Sequence, residues 1–437
     1  MTLGQQNDTI VALSSGQLPS GVAVIRASGP DVQKICSIFG VSLPTARVAK
    51  FAKLRSPVDQ AVVDEGLVLF FPNPKSFTGE DLLELQLHGS RAVVQFVLDQ
   101  MVQLNNVRLA LPGEFTRRAF ENGKLDLTRV EGIADLIDAQ TESQRALAVA
   151  RMQGGLSNKL IDWRQKLVRL RAEIEARLDF SDEDDVPFEL PATYLGDLNI
   201  LTNHIRTELS DFNQGRMIRE GVRVALVGKP NVGKSSLLNA LSRSETAIVT
   251  DVPGTTRDVI EVEIDLSGVL FRLFDTAGVR DTEDEVERIG IERSHQSAQS
   301  ADIVIGLTDD GSLPDGFDFD LVAGTKADSR ETPFPQEVDI HISVKQVEGL
   351  DDFKALLLHR VIGLNDSRET LLVSHARDKA ALLDATEALD RARDLVYAPE
   401  LLAEELRSAS YSLGRLIGEV GTEDVLDDLF AGFCIGK

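Results

Sequence analysis

The sequence predicts a multidomain α/β chain in three parts: an α+β N-terminal domain, a helical domain split in sequence, and an α/β domain inserted into it. Three observations carry that prediction. The chain has 437 residues, too many for a single core. Its hydropathy pattern changes from mixed strand and helix to helical near residue 120, to alternating strands and helices near 216, and back to helical near 369. Its charge divides in the same places: +1 over 1–118, −7 over 119–215, −11 over 216–368 and −7 over 369–437, which sum to −24.

Each part follows from its residues. In 1–118, β-rich runs such as Gly21-Val-Ala-Val-Ile-Arg26 and Gly66-Leu-Val-Leu-Phe-Phe71 stand between Pro, Gly and Ser, with helical patterns at 30–38 and 91–104. In 119–215, Leu160, Trp163, Leu167, Leu170 and Ile174 keep a 3-4-3-4 spacing, which is one apolar helix face. The acidic stretch 181–185 followed by Pro187 ends that helix. In 369–437, Leu382, Leu389, Leu395, Leu406, Leu413 and Leu416 mark further helices, so a helical domain flanks the inserted segment 216–368.

Composition bounds the function. With 43% hydrophobic and 27% charged residues the balance is globular, and no apolar run approaches the roughly 20 residues that span a bilayer. The N-terminus lacks a basic region followed by an apolar one, so a cytoplasmic protein without membrane association is expected. Cys36 and Cys434 are the two cysteines, and their separation excludes a disulfide framework. A net charge of −24 argues against a chain that grips nucleic acid unaided.

The chemistry lies in the inserted segment. The strand pattern Val222–Val227 runs into Gly228-Lys-Pro-Asn-Val-Gly-Lys-Ser235 and then a helical Ser-Leu-Leu-Asn-Ala-Leu, the context a phosphate-binding loop requires. There backbone N–H groups and a helix N-terminus face the phosphates, Lys234 reaches the β- and γ-phosphates, and Ser235 is a Mg²⁺ ligand. Asp275-Thr-Ala-Gly278 ends an apolar strand, which aims Asp275 at Mg²⁺ and the Gly278 amide at the γ-phosphate. Gly254-Thr-Thr-Arg-Asp258 lies between, as a loop able to offer a threonine. The carboxylate in Thr325-Lys-Ala-Asp328 suits the two N–H donors of guanine, which adenine lacks, and Ile342-Ser-Val-Lys345 is placed to close over the base. In this order the motifs predict a GTPase domain. Val279 occupies the place of the water-orienting glutamine of Ras-type enzymes, so hydrolysis needs another polar group, and 281–287 carries five carboxylates.

Together these motifs, with Ser-Phe-Thr-Gly-Glu-Asp over 76–81, Leu-Pro-Gly-Glu-Phe-Thr-Arg-Arg over 111–118 and the terminal Phe-Cys-Ile-Gly-Lys437, closely resemble the MnmE (TrmE) family of tRNA modification GTPases from residue 8 to the end. The resemblance implies an N-terminal domain that binds a tetrahydrofolate one-carbon derivative (5-formyl or 5,10-methylene type) and dimerises, a discontinuous helical domain, and an inserted Ras-like P-loop GTPase domain. It implies a homodimer that joins a flavoprotein of the MnmG (GidA) type in a heterotetramer. That complex adds a carboxymethylaminomethyl group to C5 of the wobble uridine of certain tRNAs, with tRNA held mainly by the partner.

By motif position, GTP is contacted by Asn231, Val232, Gly233, Lys234, Ser235 and Ser236; by Thr250, Asp251, Val252, Pro253, Gly254, Thr255 and Thr256; by Asp275, Thr276, Ala277 and Gly278; and by Thr325, Lys326, Ala327 and Asp328. Ser235 and Thr256 hold Mg²⁺, and Asn231, Thr250, Val252 and Thr255 hold K⁺. Glu287 orients water and, with Lys234, makes the catalytic pair. Arg26, Glu84, Lys124 and Lys437 bind folate, and Cys434 is a candidate reactive thiol beside the one-carbon unit. Thr325 departs from the asparagine usual there; its shorter reach to base and phosphate loop bears on nucleotide affinity more than on guanine choice. The alternative is a GTP-dependent switch in ribosome assembly or signalling, which has no need of the first 118 residues or the last four.

Overall fold

The computed structural model describes residues 8–179, 189–244, 246–248, 261–275, 298–329, 338–362 and 371–420, with 426, 429, 430, 432, 433 and 436. The chain forms two compact units, one of 1–134 with 414–437 and one of 135–413.

The first unit is built on a six-stranded sheet of order β3-β4-β5-β2-β1-β6. Its strands are β1 (Thr9–Leu13), β2 (Ser20–Ser28), β3 (Lys50–Arg55), β4 (Val62–Phe71), β5 (Leu82–Gly89) and β6 (Val107–Leu109). Neighbours are antiparallel except β1 with β6. The period of two sorts the side chains. Ala23, Ile25 and Ala27 of β2 and Leu83, Leu85 and Leu87 of β5 enter the core with α1 (Val32–Ile38) and α2 (Arg91–Met101), whose Ile35, Val94, Val97 and Met101 cover that face. Arg26 and Glu84 therefore lie on the opposite face, and the register pairs them directly. On the reverse side of β1, Ile10 and Ala12 meet Phe115 from α3 (Glu114–Glu121). The start of α4 (Leu127–Asp138) packs Leu127 and Val130 against Leu426, Phe430 and Phe433.

In the second unit, α5 (Glu142–Met152), α6 (Gly155–Asp179), α7 (Tyr194–Ser210) and α8 (Phe212–Glu220) precede a second six-stranded sheet of order β12-β11-β10-β7-β9-β8. The five residues of the predicted α6 stripe, Leu160 to Ile174, are all buried. The sheet comprises β7 (Val222–Gly228), β8 (Glu261–Leu266), β9 (Val269–Asp275), β10 (Ile303–Thr308), β11 (Leu321–Gly324) and β12 (Ile340–His341), parallel except for β8 with β9. The helices α9 (Lys234–Ser242) and α10 (Leu350–Ile362) contribute Leu237, Leu241, Phe353 and Leu357 to one core face. After the sheet, α11 (Ala376–Asp394) and α12 (Pro399–Ile417) complete the helices, and α11 packs on α7.

The alternation of strand and helix expected for this segment breaks at the β8–β9 hairpin and, among the described parallel connections, at the crossover from β10. The parallel neighbours β10 and β11 are joined by 309–320 without a helix. Phe317 and Phe319 from that connection cover Ala225, Val227, Phe274 and Val304, a task that a crossover helix usually performs. Among the described residues, no helix is long and apolar enough to cross a membrane.

Candidate nucleotide site and a second polar site

The nucleotide motifs converge at the C-terminal ends of the central parallel strands. β7 ends at Gly228, and α9 begins at Lys234 with Gly233 as its N-cap at φ 111°. Only glycine adopts that angle without strain, and Asn231 at φ 61° completes the turn. Lys234 folds back over the loop: its Nζ donates to Gly228 O at 2.7 Å and Lys229 O at 3.1 Å. Burial pulls the pKa of this ammonium below the ordinary lysine value, against the opposing pull of Asp275. The β7–β9 register sets Asp275 opposite Leu226, beside the loop, and Ser235 Oγ donates to Asp275 Oδ2 at 3.1 Å. Ser236 is exposed on the same first turn of α9.

The guanine motif follows β11. Lys326 turns at φ 53°, and Ala327–Ser329 form a short 3₁₀ helix. Asp328 Oδ1 accepts a hydrogen bond of 2.8 Å from the buried Ser343 Oγ, so the last predicted motif does reach the carboxylate. Thr325 does hydrogen-bond the phosphate loop despite its short side chain: its Oγ1 donates to Val232 O at 2.6 Å. Two contacts escaped sequence reasoning. Lys326 Nζ pairs with Asp309 at 2.6 Å and Lys229 Nζ with Asp310 at 3.1 Å, both carboxylates standing directly after β10. An Asp-Asp pair at the end of an apolar strand was the signal available.

Other predicted positions lie outside the described residues. These are Thr250, Asp251, Val252, Pro253, Gly254, Thr255, Thr256, Thr276, Ala277, Gly278 and Glu287, and also Cys434 and Lys437.

The first unit carries a second cluster. Arg26 donates from Nε and Nη2 to Glu84 Oε1 at 3.1 and 2.9 Å. Its guanidinium lies 5.8 Å from the Phe77 ring centroid and 5.7 Å from that of Phe115. Neither aromatic was singled out from sequence, because only the fold brings residues 26, 77 and 115 together. Lys124 Nζ donates to Pro74 O at 2.6 Å, on the same loop as Phe77. Gly436 lies against the end of β1, where Ser14 Oγ donates to its carbonyl oxygen at 2.7 Å. A Cβ at Gly436 would stand 2.1 Å from Leu13 O, so the backbone approach admits only glycine. Beneath the cluster, Arg118 bonds Asp8 and Glu80, and Arg108 bonds Asp8 and Glu114. Burial raises the Glu114 pKa, but Arg108 and Arg118 outweigh it and hold the carboxyl below its ordinary range.

Residues 9–124 match the family model described as GTP-binding protein TrmE N-terminus, and residues 127–434 match the MnmE helical domain. The tRNA modification GTPase MnmE of Azorhizobium caulinodans is 45% identical over 99% of this chain and 100% of its own length. That of Rhizobium etli is 46% identical, with 99% of each chain covered. Among solved structures, the G domain of the T. maritima FeoB iron transporter is 24% identical over 32% of this chain and 97% of its own, with a TM-score of 0.25. The agreement along nearly the full length of both sequences means that the chain belongs to the MnmE family of tRNA modification GTPases.

Proposed function

We propose that this chain is the GTP-hydrolysing subunit of a complex that, with an MnmG-type flavoprotein, installs a carboxymethylaminomethyl group on C5 of the tRNA wobble uridine. The observation that carries the GTPase part is the convergence of Lys234, Ser235, Asp275 and Asp328 at one end of the β7-centred sheet. Lys234 supplies a partly desolvated positive charge to the β- and γ-phosphates. Asp328, held by Ser343, receives the guanine N–H donors. Glu287 orients the attacking water in place of the glutamine absent at Val279.

Ser235 Oγ and Asp275 Oδ2, 3.1 Å apart, are hard oxygen donors that fit Mg²⁺, and with Thr256 they would hold it directly or through water. Bound Mg²⁺ neutralises charge developing on the transferred phosphoryl oxygens. Asn231, on the exposed bend of the phosphate loop, would hold K⁺ with Thr250, Val252 and Thr255 once a second G domain closes on the first. The tetrahydrofolate derivative fits the Arg26–Glu84 pair beside the exposed Phe77, since the planar pyrimidine ring of its pterin matches aromatic and guanidinium surfaces and presents donors to a carboxylate. The folate supplies the one-carbon unit. Lys124 and Lys437 then suit its anionic tail, with Cys434 alongside. In the homodimer, the acidic helical parts offer a docking surface to a basic partner, which carries most tRNA phosphate contacts.

The deciding experiment is nucleoside analysis of tRNA from cells that lack the chain. Loss of the C5 group at wobble uridines is expected; its persistence sinks the modification role and leaves a GTP-dependent switch. GTP turnover in KCl against NaCl tests the cation, with equal rates removing K⁺ from the mechanism.

A further inference from the structure

We propose that the β8–β9 hairpin is the joint through which nucleotide state reaches the helical domain: its tip docks on the first turn of α5, and that docking responds to the bound nucleotide. This rests on the nucleotide reading above. The hairpin closes through a two-residue loop, Ser267 at φ 53° and Gly268 at φ 88°, between the paired Leu266 and Val269. Asp265 Oδ1 accepts the Gly268 N–H at 2.6 Å and fixes the turn. The first turn of a helix has N–H groups with no partner inside the helix. In α5, Thr141 as N-cap and Gln144 form a capping box, which serves the backbone N–H groups of those two residues. The Ser143 N–H is satisfied from the inserted domain instead: it donates to Gly268 O at 3.0 Å. A second tie runs from Gln140 Nε2 to Glu263 Oε2 of β8, at 3.3 Å.

Chain order gives this contact its reach. β8 begins at Glu261, soon after Gly254-Thr-Thr-Arg-Asp258, and β9 ends at Asp275, which opens Asp275-Thr-Ala-Gly278. Both motifs expected at Mg²⁺ and the γ-phosphate are therefore continuous with one hairpin, and a displacement at its open end is felt at its tip. The same helix holds the entry to the inserted domain: Gln144 Nε2 donates to Arg219 O at 2.9 Å, just before the chain passes into β7. Between that anchor and the hairpin lies a cleft of about 410 Å³, lined by Asp135, Asp138, Gln140, Gln144, Arg219 and Arg272. Groups of this kind exchange protein partners for water at small net cost, so the tip can leave α5 without exposing an apolar core. Docking of the tip and binding of nucleotide then bias one another equally, as linked equilibria must.

The test uses the full-length chain, with amide hydrogen exchange across the start of α5 followed in GDP and in a non-hydrolysable GTP analogue. Exchange at the Ser143 amide should differ about ten-fold between the two states. Equal exchange overturns the proposal alone, whereas a parent chain that binds neither nucleotide overturns the nucleotide reading and the proposal with it. Ser143→Pro then deletes the donor at a first-turn position that tolerates proline, and Gln140→Ala cuts the second tie should the proline variant not fold. Either variant should keep GTP turnover within about two-fold of the parent, while tRNA modification with the flavoprotein falls about ten-fold. Modification at the parent rate, or loss of both activities in proportion, overturns the coupling. A parent that hydrolyses GTP but modifies no tRNA rejects the modification reading, and the exchange difference then decides the proposal by itself.

Discussion

In the nucleotide site proposed above, Lys234 and Asp328 have separate tasks, and each yields a distinct outcome on substitution. Lys234 is buried with its ammonium on two loop carbonyls, a poor exchange for water that a triphosphate would improve. Lys234→Ala should lower GTP affinity by about 100-fold and abolish turnover, with the melting temperature little changed; binding by isothermal calorimetry checks this. Asp328→Asn replaces an acceptor pair by one acceptor and two donors, which no longer matches guanine but matches the extra carbonyl of xanthine. Competition between GTP and XTP should then favour XTP. In the first unit, Glu84→Gln leaves Arg26 beside its rings but removes the charge, so folate binding followed by fluorescence quenching should weaken by about ten-fold or more.

Between elements, the most consequential contact joins α5 to α11 across the inserted segment. Arg151 and Asp378 are both wholly buried, with Nη1 donating to Oδ2 at 2.7 Å. Burial opposes ionisation of Asp378, but the charges of Arg151 and His375 prevail and hold its carboxyl below the ordinary aspartate range. A depressed carboxylate stabilises the folded state above its unfolded pKa and ceases to do so as pH falls through the folded value. The melting temperature should accordingly be flat from about pH 7 to 5 and fall below about pH 4. Asp378→Ala alone should cost about 3–5 kcal/mol by strandinɡ Arg151, whereas Arg151→Met with Asp378→Leu should come close to neutral and flatten the acid limb. Urea denaturation at two pH values separates these outcomes. At the helix-free crossover, Phe317 and Phe319 help to cover one sheet face, together with Ala298 and Ala301.

For the whole molecule, charge is the governing quantity. The N-terminal part is near neutral at +1, and the excess acid lies in 119–437, which carries −25. Such a field repels a polyanion beyond short range. Binding of tRNA by the chain alone at about 150 mM salt should therefore be much weaker than by its complex with a basic partner, and fluorescence anisotropy on labelled tRNA measures the difference. Affinity for tRNA that is as strong without the partner would contradict the division of labour proposed above.

How much of this was legible depends on whether a feature is local. The phosphate loop, the strand ending in Asp275 and the apolar stripe of α6 are continuous stretches in which residue type, spacing and backbone preference coincide, and the structure has them where the pattern puts them. Pairings between distant residues have no such local cause. The Arg26–Glu84 contact depends on the register of β2 and β5, and Arg151–Asp378 on how two helices separated by residues 153–375 meet. The partner of the Thr325 hydroxyl depends on where β11 lies beneath the phosphate loop, which side-chain length alone does not give. The sequence by itself determined the fold class, the family and the chemistry of each motif, because those are written in local pattern. Tertiary structure decided which charges neutralise one another and which hydroxyl holds the loop, because those follow from strand register and helix packing.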